Sequence, residues 1–90
     1  MKALRSSVAG SLESSDVLVS VSPRDDGNIE ISVESIVFRQ FGPQIRSVAE
    51  EAAAASGIEG ATVAVNDRGA LECTLRARLE TAFERATEAR

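Results

Sequence analysis

The sequence has no histidine, tryptophan or tyrosine, and its single cysteine is Cys73. Without histidine, the chain lacks the most common general base and metal ligand, and it cannot form a Ser-His or Cys-His nucleophile pair. One cysteine excludes an internal disulfide and a metal cluster built from cysteines. The composition therefore argues against a stand-alone enzyme, and it predicts no catalytic and no metal-ligating residue.

Positive charge and long apolar runs are also scarce. Lys and Arg total 10 against 14 Asp and Glu, which gives a formal net charge of −4. Nucleic-acid binding usually needs a basic stripe and aromatic stacking platforms, and neither is visible. No apolar run approaches the roughly 20 residues that span a bilayer. No apolar stretch follows Lys2 and Arg5, so a signal peptide is not predicted. We expect a cytoplasmic protein without nucleic-acid or membrane partners.

What the chain does have is enough apolar residues for one small core. Hydrophobic residues make up 43% of the 90 positions. That length supports one domain over residues 1–90, with a core of Val, Ile, Leu and Ala. Residues 1–11 are rich in small side chains and lack periodicity, so we expect a flexible arm or an extended lead-in there.

Alternating β-branched and polar residues predict strands at 17–21 and 29–33, joined as a β-hairpin. A second hairpin is predicted from alternation at 61–65 and 70–77, around an Asn-Asp-Arg-Gly turn. Cys73 would then lie on the inward face of the last strand and act as a small buried hydrophobe. An alternative interpretation extends the C-terminal helix back to Leu71.

Helical spacing and high propensity predict a helix from Pro43 to a stop at Ser56-Gly57. Residues 36–42 are ambiguous and would begin a helix that breaks at Gly42-Pro43. A C-terminal helix is predicted over 79–86. The resulting order is β-β-α-β-β-α, an α+β fold with a four-stranded, largely antiparallel sheet and two helices on one face.

The most unusual segment is 10–16, GSLESSD, which places hydroxyls and carboxylates just before the first predicted strand. Its hydroxyls could simply cap nearby backbone. The neighbouring bases, Glu13 and Asp16, are weak, and an unassisted serine is a poor nucleophile. The segment is therefore poorly suited to catalysis, but it is adequate as the acceptor of a modification that another enzyme makes.

Several stretches together resemble the citrate lyase acyl carrier protein family, also called the gamma subunit. They are 8–17 (VAGSLESSDV), 40–42 (QFG), 45–46 (IR), 65–73 (VNDRGALEC) and 75–80 (LRARLE). The likeness runs in register from about Val8 to the end of the chain. That breadth makes it more specific than any single motif.

The resemblance implies a covalent cofactor, 2'-(5''-phosphoribosyl)-3'-dephospho-CoA, joined through a phosphodiester to the serine that follows Leu-Glu. The matching position is Ser14. The family commonly has Glu-Ser-Gly-Asp, whereas this chain has Ser15 in place of the glycine. The adjacent hydroxyl makes Ser15 the second candidate for attachment.

The resemblance also implies partners and a mechanism. An alpha subunit, an acyl transferase, exchanges the acetyl group on the arm's thiol for citrate, and a beta subunit, an acyl lyase, releases oxaloacetate. A prosthetic-group transferase loads the arm. The carrier itself contributes proximity, because a tethered acyl group reaches two active sites at high effective concentration.

Three alternatives remain open. The carrier of a malonate decarboxylase resembles this family and bears the same kind of arm. An ordinary phosphopantetheine carrier would have Asp-Ser-Leu at a helix start, which is absent. A small unmodified interaction module is the third. Arg76, Arg78 and Arg85 form a basic patch that would be solvated or paired with neighbouring Glu, or would contact partner subunits or phosphates of the arm.

Overall fold

The computed structural model describes residues 2–88 and contains four strands and two helices. In chain order they are β1 (Ser7–Gly10), β2 (Val17–Pro23), β3 (Ile29–Ser35), α1 (Phe38–Ser56), β4 (Ala61–Asp67) and α2 (Glu72–Thr87). The order is thus β-β-β-α-β-α. The α+β class, the four-stranded sheet and the two helices on one face are confirmed, whereas the predicted element order is corrected.

The strands form one mixed sheet in the order β1-β2-β4-β3. β1 pairs antiparallel with β2, and β2 pairs antiparallel with β4. β3 pairs parallel with β4, which is possible because the connection between them contains α1. Two of the three strand pairs are antiparallel, so the sheet is largely antiparallel, as predicted.

The first correction concerns residues 1–11. The expectation is a flexible arm or an extended lead-in, and Ser7–Gly10 follow the extended alternative, because they form edge strand β1 with alternate residues buried. The Ser7 hydroxyl donates to the Ala82 carbonyl oxygen at 2.6 Å and so ties this strand to α2. Periodicity missed the strand because four residues are too few to show a pattern.

The second correction concerns the predicted hairpins. β2 and β3 do not pair with each other, because β4 lies between them. The connection between β2 and β3 spans the start of β4: the Arg24 N–H donates to the Gly60 carbonyl oxygen, and the Ala61 N–H donates to that of Asn28. A turn-like sequence between two strands therefore does not prove that those strands are neighbours.

The third correction concerns residues 70–77, which are not a strand. Residues 72–87 form α2, in agreement with the alternative interpretation that extends the last helix back toward Leu71. Leu75 and Leu79 are buried, whereas Leu71 and Cys73 are exposed. The placement of Cys73 in a buried strand is therefore wrong. Leucine spaced by four residues fits one face of a helix and also alternate positions of a strand, and the longer helical pattern prevails.

Helix α1 starts at Phe38 and continues through Gly42-Pro43, so the predicted break is absent. Pro43 lies in the second turn, where its missing N–H removes a single bond to the Arg39 carbonyl oxygen. The helix ends at Ser56, and the C-cap residue Gly57 has a left-handed φ of +69° that suits glycine, as the sequence predicts.

The core lies between the helices and the inward face of the sheet. Its largest fully buried side chains come from the two central strands and α2: Val17, Val19, Val21, Val63, Val65, Leu79 and Phe83. Each contributes about 1.5–3 kcal/mol on burial, before conformational entropy is subtracted. Among residues 2–88, neither helix is long and apolar enough to cross a membrane.

Candidate functional site

Three connecting segments meet at one end of the sheet. In the strand register, Val17 at the start of β2 and Ser35 at the end of β3 both pair with Asp67 at the end of β4. Residues 11–16, 36–37 and 68–71 therefore lie at the same end, where both helices begin. We call these three segments the Ser14 end of the molecule.

Residues 11–16 form a compact loop between β1 and β2. The Ser11 N–H donates to the Val17 carbonyl oxygen at 3.2 Å, and the Asp16 N–H donates to that of Glu13 at 3.1 Å. Gly10 begins the loop with a φ of +92°. A Cβ atom there would lie 1.8 Å from the Val17 carbonyl oxygen, so only glycine fits the close approach of β1 and β2.

Asp16 links this loop to helix α2. Its carboxylate accepts two bonds from the Arg78 guanidinium, at 3.1 and 3.2 Å, and one from the Ser11 hydroxyl at 2.7 Å. The Arg78 bond is the main reason that the pKa of Asp16 falls from 3.8 to about 2, and the Ser11 hydroxyl and the Val17 N–H lower it further. Asp16 is consequently ionised and paired at neutral pH, which makes it a poor general base.

Ser14 is exposed at the tip of the loop. Within residues 2–88 its hydroxyl has no hydrogen-bond partner. The oxygen is therefore open to solvent, which is the minimum condition for attachment of a long group by another enzyme.

Ser15 is also exposed, but its backbone is constrained. It has a φ of +65°, the only positive value at a non-glycine position in the described chain. Its N–H donates to the Arg68 carbonyl oxygen at 2.9 Å. This left-handed position is the one where the resembled family commonly has glycine, and glycine adopts that conformation without the strain that a Cβ causes.

Asp67 also lies at the Ser14 end, where the sequence alone predicts only a turn. Its side chain is 2% exposed. One carboxylate oxygen accepts from the Ser35 hydroxyl at 2.8 Å and from the Gly69 N–H at 3.2 Å, and the other accepts from the Ala70 N–H at 3.0 Å. Asp67 thus joins β3 to the segment that precedes α2. An Asp two residues before a glycine is the available sequence signal for such a turn.

The three arginines singled out from the sequence are bonded within the described chain. Arg78 holds Asp16, and Arg76 contacts Glu51 and Glu72 at 3.3 and 3.2 Å. Arg85 donates to the Val8 carbonyl oxygen at 2.8 Å. Of the three, Arg76 is therefore the one paired with neighbouring Glu side chains, which is one of the two predicted outcomes.

An apolar cleft of about 300 Å³ opens at the Ser14 end, between the first turns of α1 and α2. Its lining residues are Val37, Phe41, Gln44, Ile45, Val48, Asp67, Ala70, Leu71, Glu72 and Leu75. Exposed apolar side chains surround it: Leu71 is 71% exposed and Ile36 is 66% exposed. Exposed apolar side chains that lie close together commonly mark a site for binding another protein or a ligand.

The chemistry available at this end is limited. In the described residues, no group of three or more His, Cys, Asp or Glu side chains could hold a metal ion. The one carboxylate bonded within the Ser14 loop, Asp16, is held by Arg78. The arrangement can present a serine hydroxyl, but within residues 2–88 no hydrogen bond joins that hydroxyl to a base that would activate it.

Comparisons with known proteins found relatives over nearly the whole chain. A family model described as "ACP: Malonate decarboxylase delta subunit (MdcD)" matches residues 4–86. A citrate lyase acyl carrier protein of Escherichia fergusonii is 48% identical over 88 residues, which cover 98% of this chain and 91% of the relative. The one of Streptococcus mutans is 49% identical over 84 residues, which cover 93% and 82%.

A solved structure shares the fold. It is a chain in the crystal structure of a Pseudomonas malonate decarboxylase hetero-tetramer in complex with malonate. The TM-score is 0.76 at 20% sequence identity, over 93% of this chain and 86% of that chain. At this identity the similarity establishes the arrangement of strands and helices alone.

Proposed function

Because this chain belongs to the family of citrate lyase acyl carrier proteins, we propose that it serves a citrate lyase complex and carries its acyl group on a prosthetic arm attached to Ser14. Members of the family are non-catalytic carrier subunits, and this chain is an acyl carrier protein. The single observation that supports the attachment site is the exposed Ser14 hydroxyl, free of protein partners within residues 2–88, at the tip of a loop that is otherwise well bonded.

Electrostatics of the loop supports attachment at Ser14. A phosphodiester adds one negative charge next to residues that already include Glu13 and Asp16. The Arg78 guanidinium compensates the Asp16 carboxylate through two hydrogen bonds. The added charge therefore does not face an unpaired carboxylate at Asp16, and Glu13 is exposed and screened by solvent.

Ser14 is preferred over Ser15 for a conformational reason. Residue 15 has a left-handed backbone conformation that favours glycine, and its N–H donates to the Arg68 carbonyl oxygen. Ser15 therefore stands in for a glycine at a position that is constrained by its backbone conformation and not by its side chain. Ser14 occupies the position that matches the family's modified serine.

We propose 2'-(5''-phosphoribosyl)-3'-dephospho-CoA as the arm. When bound, the arm supplies a thiol that holds acetyl or citryl groups as thioesters. The protein contributes an anchored loop that presents the arm. Within residues 2–88 the Ser14 hydroxyl is bonded to no base, which fits a subunit that another enzyme loads.

The proposed partners are the alpha and beta subunits of citrate lyase and the transferase that loads the arm. An arm rooted at Ser14 enters a partner's active site only if the Ser14 end faces that partner. The exposed apolar residues Ile36 and Leu71 lie at this end, and exposed Phe41 lines the cleft that opens there. Together they provide the apolar contact area that such docking needs. A cytoplasmic location is part of the same proposal, and the free exposed thiol of Cys73 suits a reducing compartment.

A malonate decarboxylase carrier is the alternative, favoured by the family model and by the shared fold. Sequence identity favours citrate lyase: 48% to the Escherichia fergusonii carrier against 20% to the malonate decarboxylase chain. Mixing the loaded protein with carrier-depleted subunits of each enzyme distinguishes the two. We expect it to restore citrate cleavage and not malonate decarboxylation.

The attachment itself is tested by intact mass of the protein purified from its native host. We expect a coenzyme-A-sized mass increase that peptide mapping assigns to Ser14. Ser14→Ala should abolish the increase, whereas the matched variants Ser15→Ala and Ser15→Gly should retain it. An unmodified chain in an active native complex would contradict the proposal, and loss of the increase in Ser15→Ala alone would assign the arm to Ser15.

A further inference from the structure

Arg68 is the one residue in the described chain with a fully buried side-chain nitrogen and no hydrogen-bond partner for it. The atom is Nε of its guanidinium. The residue directly follows β4, and its backbone is bonded to the Ser14 loop on both sides. Its N–H donates to the Asp16 carbonyl oxygen at 2.9 Å, and its carbonyl oxygen accepts from the Ser15 N–H at 2.9 Å. Arg68 therefore adjoins the residue next to Ser14.

Other basic side chains do not share this state. Arg78 and Arg76 each contact carboxylates. Lys2 and Arg39 have no side-chain partner within residues 2–88, but both are exposed, so water satisfies them. Arg68 alone combines an unpaired guanidinium with a buried nitrogen at the Ser14 end.

A buried polar atom without a partner costs free energy, and native structures rarely keep one without a role. A guanidinium presents its donors in a planar fork that matches the oxygens of a phosphate. The group proposed for Ser14 brings such a phosphate to this loop, since a phosphodiester forms the link to the serine.

We propose that Arg68 binds the phosphodiester phosphate of the arm on Ser14, and that its guanidinium lacks a partner until the arm is attached. This inference rests on the proposed function. Arg68 is then a positioning residue: it holds the first group of the arm against the protein, so the flexible part begins beyond the phosphate. Because Nε is closed to solvent, the Arg68 side chain must shift to bring this atom to the phosphate. The unloaded protein keeps the cost of the unpaired nitrogen, and the loaded protein recovers it.

The test compares melting temperatures of unloaded and loaded protein for the wild type, Arg68→Gln and Arg39→Gln. Intact mass first establishes complete loading of each sample. Loading should raise the melting temperature of the wild type and of Arg39→Gln by about 6 °C or more. Arg68→Gln should show less than half of that rise. Unloaded Arg68→Gln should melt at or above the unloaded wild type, because it removes an unpartnered cation.

A second measurement reports on the phosphate directly. In ³¹P NMR of loaded protein, the phosphodiester resonance should be broad and shifted in the wild type and in Arg39→Gln, and narrow in Arg68→Gln. Arg68→Lys keeps the positive charge without the planar fork, so its melting temperature should rise on loading by an intermediate amount. This variant also tests the inference if Arg68→Gln does not fold.

Equal rises on loading in the wild type and Arg68→Gln would overturn the inference while leaving attachment at Ser14 intact. If Arg68→Gln and Arg39→Gln both lose the same part of the rise in melting temperature on loading, the inference is also overturned, because a general effect of positive charge would then explain the result. Absence of any mass increase would instead remove the proposed function, and this inference with it.

Discussion

Gly10 gives the sharpest test of how the Ser14 loop is built. Replacing it by alanine adds one methyl group at a backbone with a φ of +92°. The new Cβ would lie 1.8 Å from the Val17 carbonyl oxygen and 3.2 Å from Cδ of Arg78. The carbonyl oxygen belongs to the backbone, so relief requires β1 and β2 to move apart at the start of the loop.

The magnitude follows from three contributions. A left-handed conformation costs about 1–2 kcal/mol at a non-glycine residue. Forcing a methyl group into occupied space typically costs a further 1–3 kcal/mol or so. Alanine also restricts the unfolded chain, which offsets about 0.4–1 kcal/mol. We expect Gly10→Ala to lower the free energy of unfolding by about 2–4 kcal/mol.

Gly27→Ala is the matched control. Gly27 has a similar φ of +75°, but a Cβ there would meet nothing within 4 Å. It therefore tests the conformational cost without the collision, and we expect a loss of about 1 kcal/mol or less. Thermal unfolding followed by circular dichroism should show a decrease in melting temperature of about 8 °C or more for Gly10→Ala and of less than about 8 °C for Gly27→Ala.

Equal decreases in the two variants would refute this account, because the collision at Val17 would then have no energetic effect. Urea unfolding with unchanged m-values would show that the comparison concerns stability and not a change in the unfolded state.

Three further predictions concern the residues around the loop and the core. The pKa of Asp16 is lowered to about 2, so its contacts with Arg78 stabilise the fold above pH 4 and lose this effect as the pH falls toward 2. In urea titrations, Asp16→Asn should be less stable than the wild type at pH 7 and should lose less stability than the wild type between pH 4 and pH 2. The same pH dependence in both proteins would contradict this. Asp67→Ala leaves buried donors unpaired and should cost about 1–3 kcal/mol in urea unfolding, whereas Asp67→Asn should cost less because it keeps one acceptor. Phe83→Ala should cost about 3–5 kcal/mol, while Phe38→Ala, at 51% exposure, should cost much less, and similar losses would contradict the assigned core.

Local patterns predicted much of the fold. The predicted strands 17–21, 29–33 and 61–65 lie within β2, β3 and β4, and the predicted helix from Pro43 lies within α1. These segments have strong periodicity that agrees with their tertiary burial. The α+β class and the placement of both helices on one face follow from them. The number of strands does not, because the predicted strand 70–77 is part of α2 and the unpredicted β1 takes its place in the sheet.

The remaining features depend on contacts between distant residues. β4 inserts between β2 and β3, and no local signal distinguishes that pairing from two hairpins. Leu71 and Leu75 fit both a strand and a helix, and the choice depends on which face the core covers. The resemblance indicated Ser14. At Asp67 and Arg68 the sequence predicts only a turn, because their contacts are with Ser35 and with the Ser15–Asp16 backbone, which are distant in sequence.

The bonding of the Ser14 loop to the β2–β4 ladder and to α2 has a mechanical consequence. Hydrogen bonds at Ser11, Ser15 and Asp16 hold the segment on either side of residue 14. A tether attached there moves about a fixed attachment point, so the length of the tether alone determines how far its end can reach. Two catalytic centres served by one such tether must therefore both lie within a single tether length of that pivot, unless the whole carrier relocates between them.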